Sequence, residues 1–145
     1  MASALDVDAN KLIAKAAESL KEAGIKAPEF VGLVKSGAHA ERPPEQENFF
    51  FIRCASIMRQ AYVRNIVGVQ RLRTHYGGRK RRGVRPGRQA RAGGSTIRKA
   101  MQALEKAGFM EKAEKGERKG RKLTAKGRKL LDSSAKQAAK DVKTG

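Results

Sequence analysis

The chain has 145 residues and a formal net charge of +19, from 33 Lys and Arg residues against 14 Asp and Glu residues. This length favours a single domain with a real hydrophobic core. Because so much like charge repels itself, the composition predicts a polyanionic partner, most commonly nucleic acid. It argues against a membrane partner, since no apolar run approaches the roughly 20 residues of a span. The one cysteine, Cys54, excludes an intrachain disulfide and fits a cytoplasmic chain.

The basic charge is concentrated in one region, which we call the basic span (residues 48–104). This span contains no Asp or Glu, and its arginines outnumber its lysines twelve to two. An ordinary solvated surface would mix the two signs, and the guanidinium group pairs bidentately with phosphate and stacks on bases. The span is therefore predicted to bind nucleic acid. Its basic residues are Arg53, Arg59, Arg64, Arg71, Arg73, Arg79, Lys80, Arg81, Arg82, Arg85, Arg88, Arg91, Arg98 and Lys99.

The N-terminal part is predicted to form two helices that support the rest of the fold. Asp8 is a suitable N-cap, and apolar residues follow it at helical spacing until Gly24 ends the first helix. Pro28 suits the first turn of a short second helix over residues 29–35. The packing residues of that second helix would be Phe30, Leu33 and Val34. Residues 36–46 contain glycine and two prolines and read as a loop.

The segment from Glu47 to Arg64 is predicted to be a central helix with two unlike faces. Its apolar arc is broad enough to need packing partners on several sides. That arc consists of Phe50, Phe51, Cys54, Ala55, Ile57, Met58, Ala61 and Tyr62. The opposite arc holds Phe49, Arg53, Ser56, Arg59, Gln60 and Arg64. Phe49 is suited to stack on an unpaired base, although it could equally tuck under the N-terminal helices.

Residues 65–68 read as a turn, and Val69, Leu72, His75 and Tyr76 then recur at helical spacing. The following segment, residues 77–94, has almost nothing to bury and carries glycines at both ends. We expect an exposed basic loop there, flexible until it meets its partner.

The C-terminal part is predicted to contain a helix, a β-hairpin and a second helix. Ser95 or Thr96 would cap the first helix, which ends at Gly108. Its buried stripe would be Ile97, Ala100, Met101, Leu104 and Ala107. Residues 109–113 and 121–123 are the strand candidates. Thr124 would cap the last helix, with Leu130 and Leu131 facing inward and fraying expected after Ser133.

This order of elements predicts one mainly α, winged-helix-like domain over residues 1–145. In it, residues 8–46 form two additional N-terminal helices that pack on a core of residues 47–140, the β-hairpin is the wing, and residues 141–145 are a frayed tail. Many winged-helix proteins bind duplex DNA, so the architecture alone does not choose the ligand. In a DNA-reading helix-turn-helix about 3–4 residues precede the recognition helix, whereas some seventeen residues intervene here. A long cationic insert favours RNA.

The sequence offers no catalytic constellation. His39 and His75 lie far apart without metal-ligand spacing, and Cys54 falls on the apolar face of the central helix. We therefore expect neither an enzyme nor a metal or cofactor site. A nucleic-acid enzyme would need a carboxylate cluster in the basic region. The alternative to RNA binding is a dimeric winged-helix transcription regulator that reads DNA through Arg98, Lys99 and Gln102.

Several long blocks of sequence resemble one protein family. They are A-P-E-F-V from Ala27, P-E-Q-E-N-F-F from Pro44, R-C-A-S-I-M-R-Q-A-Y from Arg53, V-G-V-Q-R-L-R-T-H-Y-G-G-R-K-R-R-G from Val67, I-R-K-A-M-Q-A-L-E from Ile97 and G-R-K-L-T from Gly120. In order and spacing, the chain resembles the small-subunit ribosomal protein S19e family of archaea and eukaryotes. The P-E-Q-E and R-L-R-T blocks are more similar to the archaeal branch.

The resemblance implies a winged-helix-like protein in the head of the small ribosomal subunit, bound to ribosomal RNA and next to other ribosomal proteins. In eukaryotes the family is also needed for small-subunit maturation, and a role of this chain in maturation is an extension of that property. The free chain is expected to be a monomer. The RNA-facing residues of the family correspond to Arg53, Arg59 and the basic stretch that begins at Gly77. The family usually has a tryptophan or another aromatic pair where this chain has Phe49 and Phe50. The expected RNA-binding set is thus Phe49 with the fourteen basic residues of the basic span.

Overall fold

A computed structural model describes residues 2–113, 116 and 119–144, and within these ranges it contains five α-helices and five short β-strands. The helices are α1 (Ala9–Glu22), α2 (Phe49–Arg64), α3 (Val69–Tyr76), α4 (Gly94–Lys106) and α5 (Ala125–Thr144). The strands are β1 (Ile66–Val67), β2 (Gly78–Arg82), β3 (Arg85–Ala90), β4 (Met110–Lys112) and β5 (Arg121–Leu123). The prediction of a mainly α fold is confirmed. None of the described helices is long and apolar enough to cross a membrane.

Helix α2 is the centre of the fold, and α1, α4, α5, β1 and β5 all contact it. Six of the eight residues of its predicted apolar arc are buried, and Phe51 and Tyr62 pack against the core while partly exposed. Full burial of a side chain such as Ile57 or Met58 contributes about 1.5–3 kcal/mol to stability. The predicted division of this helix into two faces is confirmed.

The first helix also forms as predicted. The Asp8 carboxylate accepts a hydrogen bond from the Lys11 amide at 3.2 Å, which satisfies one of the free donors at the start of α1. The chain leaves the helix at Gly24, whose φ of +82° favours glycine. Leu12, Ala16 and Leu20 are buried on the face that meets α2 and α5.

The predicted second helix at residues 29–35 is wrong, so one N-terminal helix rather than two precedes α2 in the described chain. Consecutive turns replace it, including a bond from the Val34 amide to the Phe30 carbonyl at 3.3 Å. Gly32 has a φ of +89°, which is incompatible with continuing a right-handed helix. As a result Leu33 and Val34, expected to pack, are 78% and 44% exposed.

Residues 65–68, predicted to be only a turn, contain strand β1. Asn65 turns the chain with a φ of +65°, and Ile66 and Val67 then pair antiparallel with Lys122 and Arg121 of β5. Because β5 also pairs with β4, the three strands form an antiparallel sheet in the order β1-β5-β4. The β4–β5 hairpin is as predicted. Residues 114, 115, 117 and 118 of its expected charged tip lie outside the described residues.

The expected irregular loop at residues 77–94 is instead a second antiparallel hairpin, formed by β2 and β3. Backbone bonds anchor its base, since the Ala92 amide donates to the Arg73 carbonyl at 2.9 Å and the Gly93 amide donates to the Ser36 carbonyl at 2.8 Å. A β-bridge between Gly37 and Ala92 adds to this anchor. The hairpin thus starts from a fixed position between α3 and the 36–39 loop.

Helix α4 buries four of the five residues of the predicted stripe, Ile97, Ala100, Met101 and Leu104, at 2% exposure or less. The fifth, Ala107, is the C-cap and is partly exposed. Its N-cap is Gly93 rather than Ser95 or Thr96, and no side chain caps it. Its end is as predicted.

The end of α4 is a Schellman motif around Gly108, which has a φ of +81°. The Phe109 amide donates to the Leu104 carbonyl at 3.0 Å, and the Gly108 amide donates to the Glu105 carbonyl at 3.1 Å.

Helix α5 is capped by Thr124, whose Oγ1 accepts a bond from the Gly127 amide at 3.3 Å. Leu131 is fully buried as expected. Helix α5 continues to Thr144, through the alanine-rich residues where the sequence predicts fraying toward the end of the chain. Small buried residues, Ser134, Ala135 and Ala138, let α1 and α5 approach closely. An ion pair between Lys15 and Asp141 at 3.1 Å joins the two helices beyond them.

Candidate nucleic-acid interface

The basic span keeps its charge almost uncompensated in the folded protein. Among the described residues, Arg81 is the one member of the fourteen that has an acidic partner, Glu41 at 3.9 Å, and both side chains are largely exposed. An ion pair so exposed contributes little. Closer pairs lie elsewhere, as between Arg121 and Glu105 at 2.9 Å. The fold therefore leaves a positive surface that is free to meet a polyanion.

Arg53 contacts two aromatic rings, one from its own helix and one from α3. Its Cζ is 5.1 Å from the centroid of the Phe49 ring and 3.9 Å from that of Tyr76. The Tyr76 hydroxyl is in turn hydrogen-bonded to Ser56 at 2.7 Å. We call Phe49, Arg53 and Tyr76 the aromatic–arginine stack. Both rings are within the range of a cation–π contact, so they hold the guanidinium group against α2 and α3.

Burial and nearby charges shift the pKa values of Arg53 and of His75, which packs on the stack. Burial lowers the pKa of Arg53, and Tyr76 opposes that shift, so the guanidinium group stays charged at neutral pH. His75 packs edge-to-face on Tyr76 with ring centroids 4.9 Å apart. Its pKa falls below the ordinary 6.5, first through burial and then through the positive charges of Arg64 and Arg53. His75 is therefore neutral at pH 7.

The sequence did not indicate that Tyr76 and His75 belong with the basic arc of α2. The one signal was positional, since both aromatic side chains end a helix immediately before the Gly77-Gly78 pair. Phe49 is partly exposed and packs on Arg53. Its stacking on a base stays a prediction.

The remaining arginines of the α2 arc differ in environment. Arg64 is exposed, whereas Arg59 is partly buried. The Nε of Arg59 is buried and finds no acceptor within the described part of the protein. A buried N–H without a partner costs free energy, so a ligand oxygen that reached this atom would remove that cost.

The β2–β3 hairpin concentrates charge of one sign. Register places Lys80 opposite Arg88 and Arg82 opposite Arg85, and like charges in directly opposed positions destabilise a hairpin. Arg79 pairs with Gln89, and its side chain lies over Gly87, where a Cβ would have to displace it. Apart from the partly buried Arg82, the six cations of the two strands are exposed. This arrangement favours a polyanionic ligand, which would relieve the repulsion.

Arg73 has a structural contact that the sequence did not suggest. Its Nε donates to the Ala92 carbonyl at 2.9 Å, beside the backbone bond that joins the same two residues. A further contact to Gln70 at 3.4 Å keeps the side chain along α3. Arg73 therefore helps to fix the hairpin base, and it is partly buried rather than fully presented to a ligand.

The other predicted residues lie on separate parts of the surface. Arg91 and Arg98 are exposed. Lys99 lines a cleft of about 510 Å³ with Lys26, Gln102 and Lys106. Arg71 shares a second groove, at the start of α3, with Lys119. Lys26, Lys106 and Lys119 lie outside the basic span, so the charge pattern of the sequence does not mark them as candidates.

Nothing in the described residues resembles a catalytic or metal centre. No group of three or more His, Cys, Asp and Glu side chains among them could hold a metal ion. Cys54 is fully buried in the core, and burial raises the pKa of its thiol to about 12. A thiol with such a pKa is unreactive at neutral pH.

Comparison with known proteins identifies the family. The family model of ribosomal protein S19e matches residues 3–141. Small ribosomal subunit protein eS19G of Ascaris suum is 44% identical over 136 residues, covering 93% of this chain and 90% of that protein. Small ribosomal subunit protein eS19 of Aeropyrum pernix is 40% identical over 145 residues, with coverage of 98% and 93%. Protein eS19A of Schizosaccharomyces pombe is 40% identical over 134 residues, with coverage of 92% and 91%. The chain belongs to the ribosomal protein S19e family.

Proposed function

We propose that this protein is a structural constituent of the small ribosomal subunit that binds ribosomal RNA and supports subunit assembly. Its relatives carry the name of small ribosomal subunit proteins, and this supports a structural role rather than an enzymatic one, in the cytoplasm with the ribosome. Contact with neighbouring ribosomal proteins and a position in the subunit head are part of the same proposal. The free protein is expected to be a monomer.

One observation carries the RNA-binding part of the proposal. Of the fourteen cations of the basic span, one has an acidic partner among the described residues, and that pair, Arg81 and Glu41, is 3.9 Å apart and exposed. Their mutual repulsion destabilises the folded protein, and a bound phosphate backbone would neutralise part of it. Each phosphate contact would also release a counterion, which favours binding. The hairpin provides six of these cations, and the aromatic–arginine stack provides one that is already oriented.

The arrangement of elements supports a winged-helix core. Helices α2, α3 and α4 correspond to the three helices of such a domain, β4 and β5 to its wing, and β1 to the strand that completes the sheet in the order β1-β5-β4. The β2–β3 hairpin is inserted between α3 and α4, where a DNA-reading domain has a short turn. This insertion favours RNA over duplex DNA.

A binding experiment tests the proposal against the transcription regulator. Filter binding of the full chain measures affinity for in vitro transcribed small-subunit ribosomal RNA, with duplex DNA of equal length as competitor, across a range of salt concentrations. We expect saturable RNA binding that DNA displaces poorly. Equal affinity for the DNA, together with a dimer in sedimentation equilibrium, would favour the regulator.

A further inference from the structure

The tip of the β2–β3 hairpin carries an apolar side chain that the described protein leaves uncovered. Val84 has a relative exposure of 106%, the highest among the large hydrophobic residues described, compared with 78% for Leu33 and 55% for Val142. It lies in a two-residue turn between the paired residues Arg82 and Arg85. Val84 thus places an exposed apolar side chain at the tip of the hairpin, beside the arginines of both strands.

The turn itself does not require valine. Gly83 has a φ of +69° while Val84 has a negative φ, the pattern of a type II′ turn with glycine in its first central position. The second position of this turn has no requirement for a β-branched side chain, and Gly, Asn, Asp and Ser are the residues that favour turns through their backbone conformation and local hydrogen bonds. The apolar, β-branched side chain of Val84 is therefore available to a surface that covers it in a complex.

The neighbours of Val84 define that surface chemically. Arg79, Arg81, Arg82 and Arg85 form a concave surface with Val84, and none of the residues that line it is acidic. The covering partner must therefore offer both negative charge and an apolar face within a few ångströms of each other. A nucleic acid does so, because its phosphates flank flat bases.

We propose that Val84 is a wedge that inserts into an interrupted base stack of RNA while the hairpin arginines hold the adjacent phosphates. The inference rests on the RNA binding proposed above and adds the feature of the RNA that is recognised. Apolar wedges separate base steps at a cost in stacking energy, and a bulge or a helix end has already lost part of that stacking. The bonds from Ala92 to Arg73 and from Gly93 to Ser36 fix the hairpin base, so the wedge is positioned before binding.

Two short RNA duplexes of the same sequence test the wedge, one continuous and one with a single bulged 2-aminopurine. The wild-type chain should bind the bulged duplex about 10-fold more tightly, the gain expected from covering a valine side chain, and should increase the 2-aminopurine emission by unstacking it. Val84→Ser should bind both duplexes equally and leave the emission unchanged. Its salt dependence should remain that of the wild type, because no phosphate contact is lost.

Two further variants test whether the preference for the bulge comes from Val84 itself rather than from any exposed valine or from the charge of the hairpin. Val142→Ser removes an exposed valine from α5 and should keep the preference for the bulge. Arg85→Ala should reduce the salt slope by about 0.7–0.9 and also keep the preference. Retention of the preference by Val84→Ser, or its absence in the wild type, would overturn the wedge. Neither result affects the proposed function, which the binding of small-subunit ribosomal RNA decides separately.

Discussion

Replacing Lys80, Arg81, Arg85 and Arg88 with glutamine removes four exposed charges from the β2–β3 hairpin. If each contacts one phosphate, the slope of log affinity against log salt concentration should fall in magnitude by about 3, since each contact contributes about 0.7–0.9. The folded state should be as stable as the wild type or more stable by about 0.2–1 kcal/mol, because the Lys80–Arg88 repulsion is removed.

A matched variant separates the hairpin from net charge. The matched variant has glutamine in place of four lysines on the exposed face of α5, which are Lys129, Lys136, Lys140 and Lys143. Both variants have a net charge of +15, that is +19 minus 4. Filter binding to small-subunit ribosomal RNA at several salt concentrations measures both slopes, and thermal denaturation measures both stabilities. The α5 variant should keep nearly the whole wild-type slope. Equal losses in the two variants would refute the assignment of the hairpin as an RNA contact.

Three further predictions concern the core and the stack, and thermal or denaturant unfolding checks each. Met58→Ala should lower the free energy of unfolding by about 2–5 kcal/mol, because it leaves a cavity in the core. Arg64→Ala, on the opposite arc of α2, should change that free energy by less than about 0.5 kcal/mol. A larger loss for Arg64→Ala than for Met58→Ala would contradict the assignment of the buried and exposed faces of α2. Tyr76→Phe should cost about 1 kcal/mol, since it leaves the Ser56 hydroxyl without its partner, and an unchanged stability would mean that water replaces this bond. The pKa of His75 is lower in the folded state than its ordinary 6.5. The contribution of His75 to the free energy of unfolding is therefore fully present above pH 6.5 and is lost as pH falls through the folded-state pKa. His75→Gln should reduce the loss of stability in that acidic range, and an unchanged pH dependence would assign the loss to other groups.

The periodicity of apolar residues was sufficient to predict the helices that pack one face against the core. The arcs of α2, the stripe of α4 and the start of α1 at Asp8 were all predicted, because burial imposes a 3.6-residue period and caps have strong residue preferences. Gly108 was likewise predictable, since the end of α4 requires a positive φ.

The sequence misled where backbone pairing or a distant partner decides the structure. The β2–β3 hairpin buries almost nothing on either face, so no period of two appears in its residues, and the two-residue strand β1 is too short to show one. At residues 29–35 the helical pattern was overridden by Gly32 in the left-handed region. Helix α5 is continued by its contact with α1, where alanine and serine are buried because they are small.

The aromatic–arginine stack could not be predicted because its members come from two helices. Arg53 and Phe49 were recognised on one arc of α2, but Tyr76 lies on α3. Only the packing of α3 beside α2 brings its ring to 3.9 Å from the Arg53 guanidinium carbon. The chemistry of the interface was thus readable from residue types, and its geometry was not.

Sedimentation of the native protein with the small ribosomal subunit tests the central claim most directly. Cell extract is separated on a sucrose gradient at moderate salt, and the protein is then cross-linked to RNA by ultraviolet light and the cross-links are mapped. The account predicts co-sedimentation with the small subunit and cross-links from residues 78–90 to its ribosomal RNA. Recovery of the protein only at the top of the gradient, without ribosomal RNA attached, would contradict it.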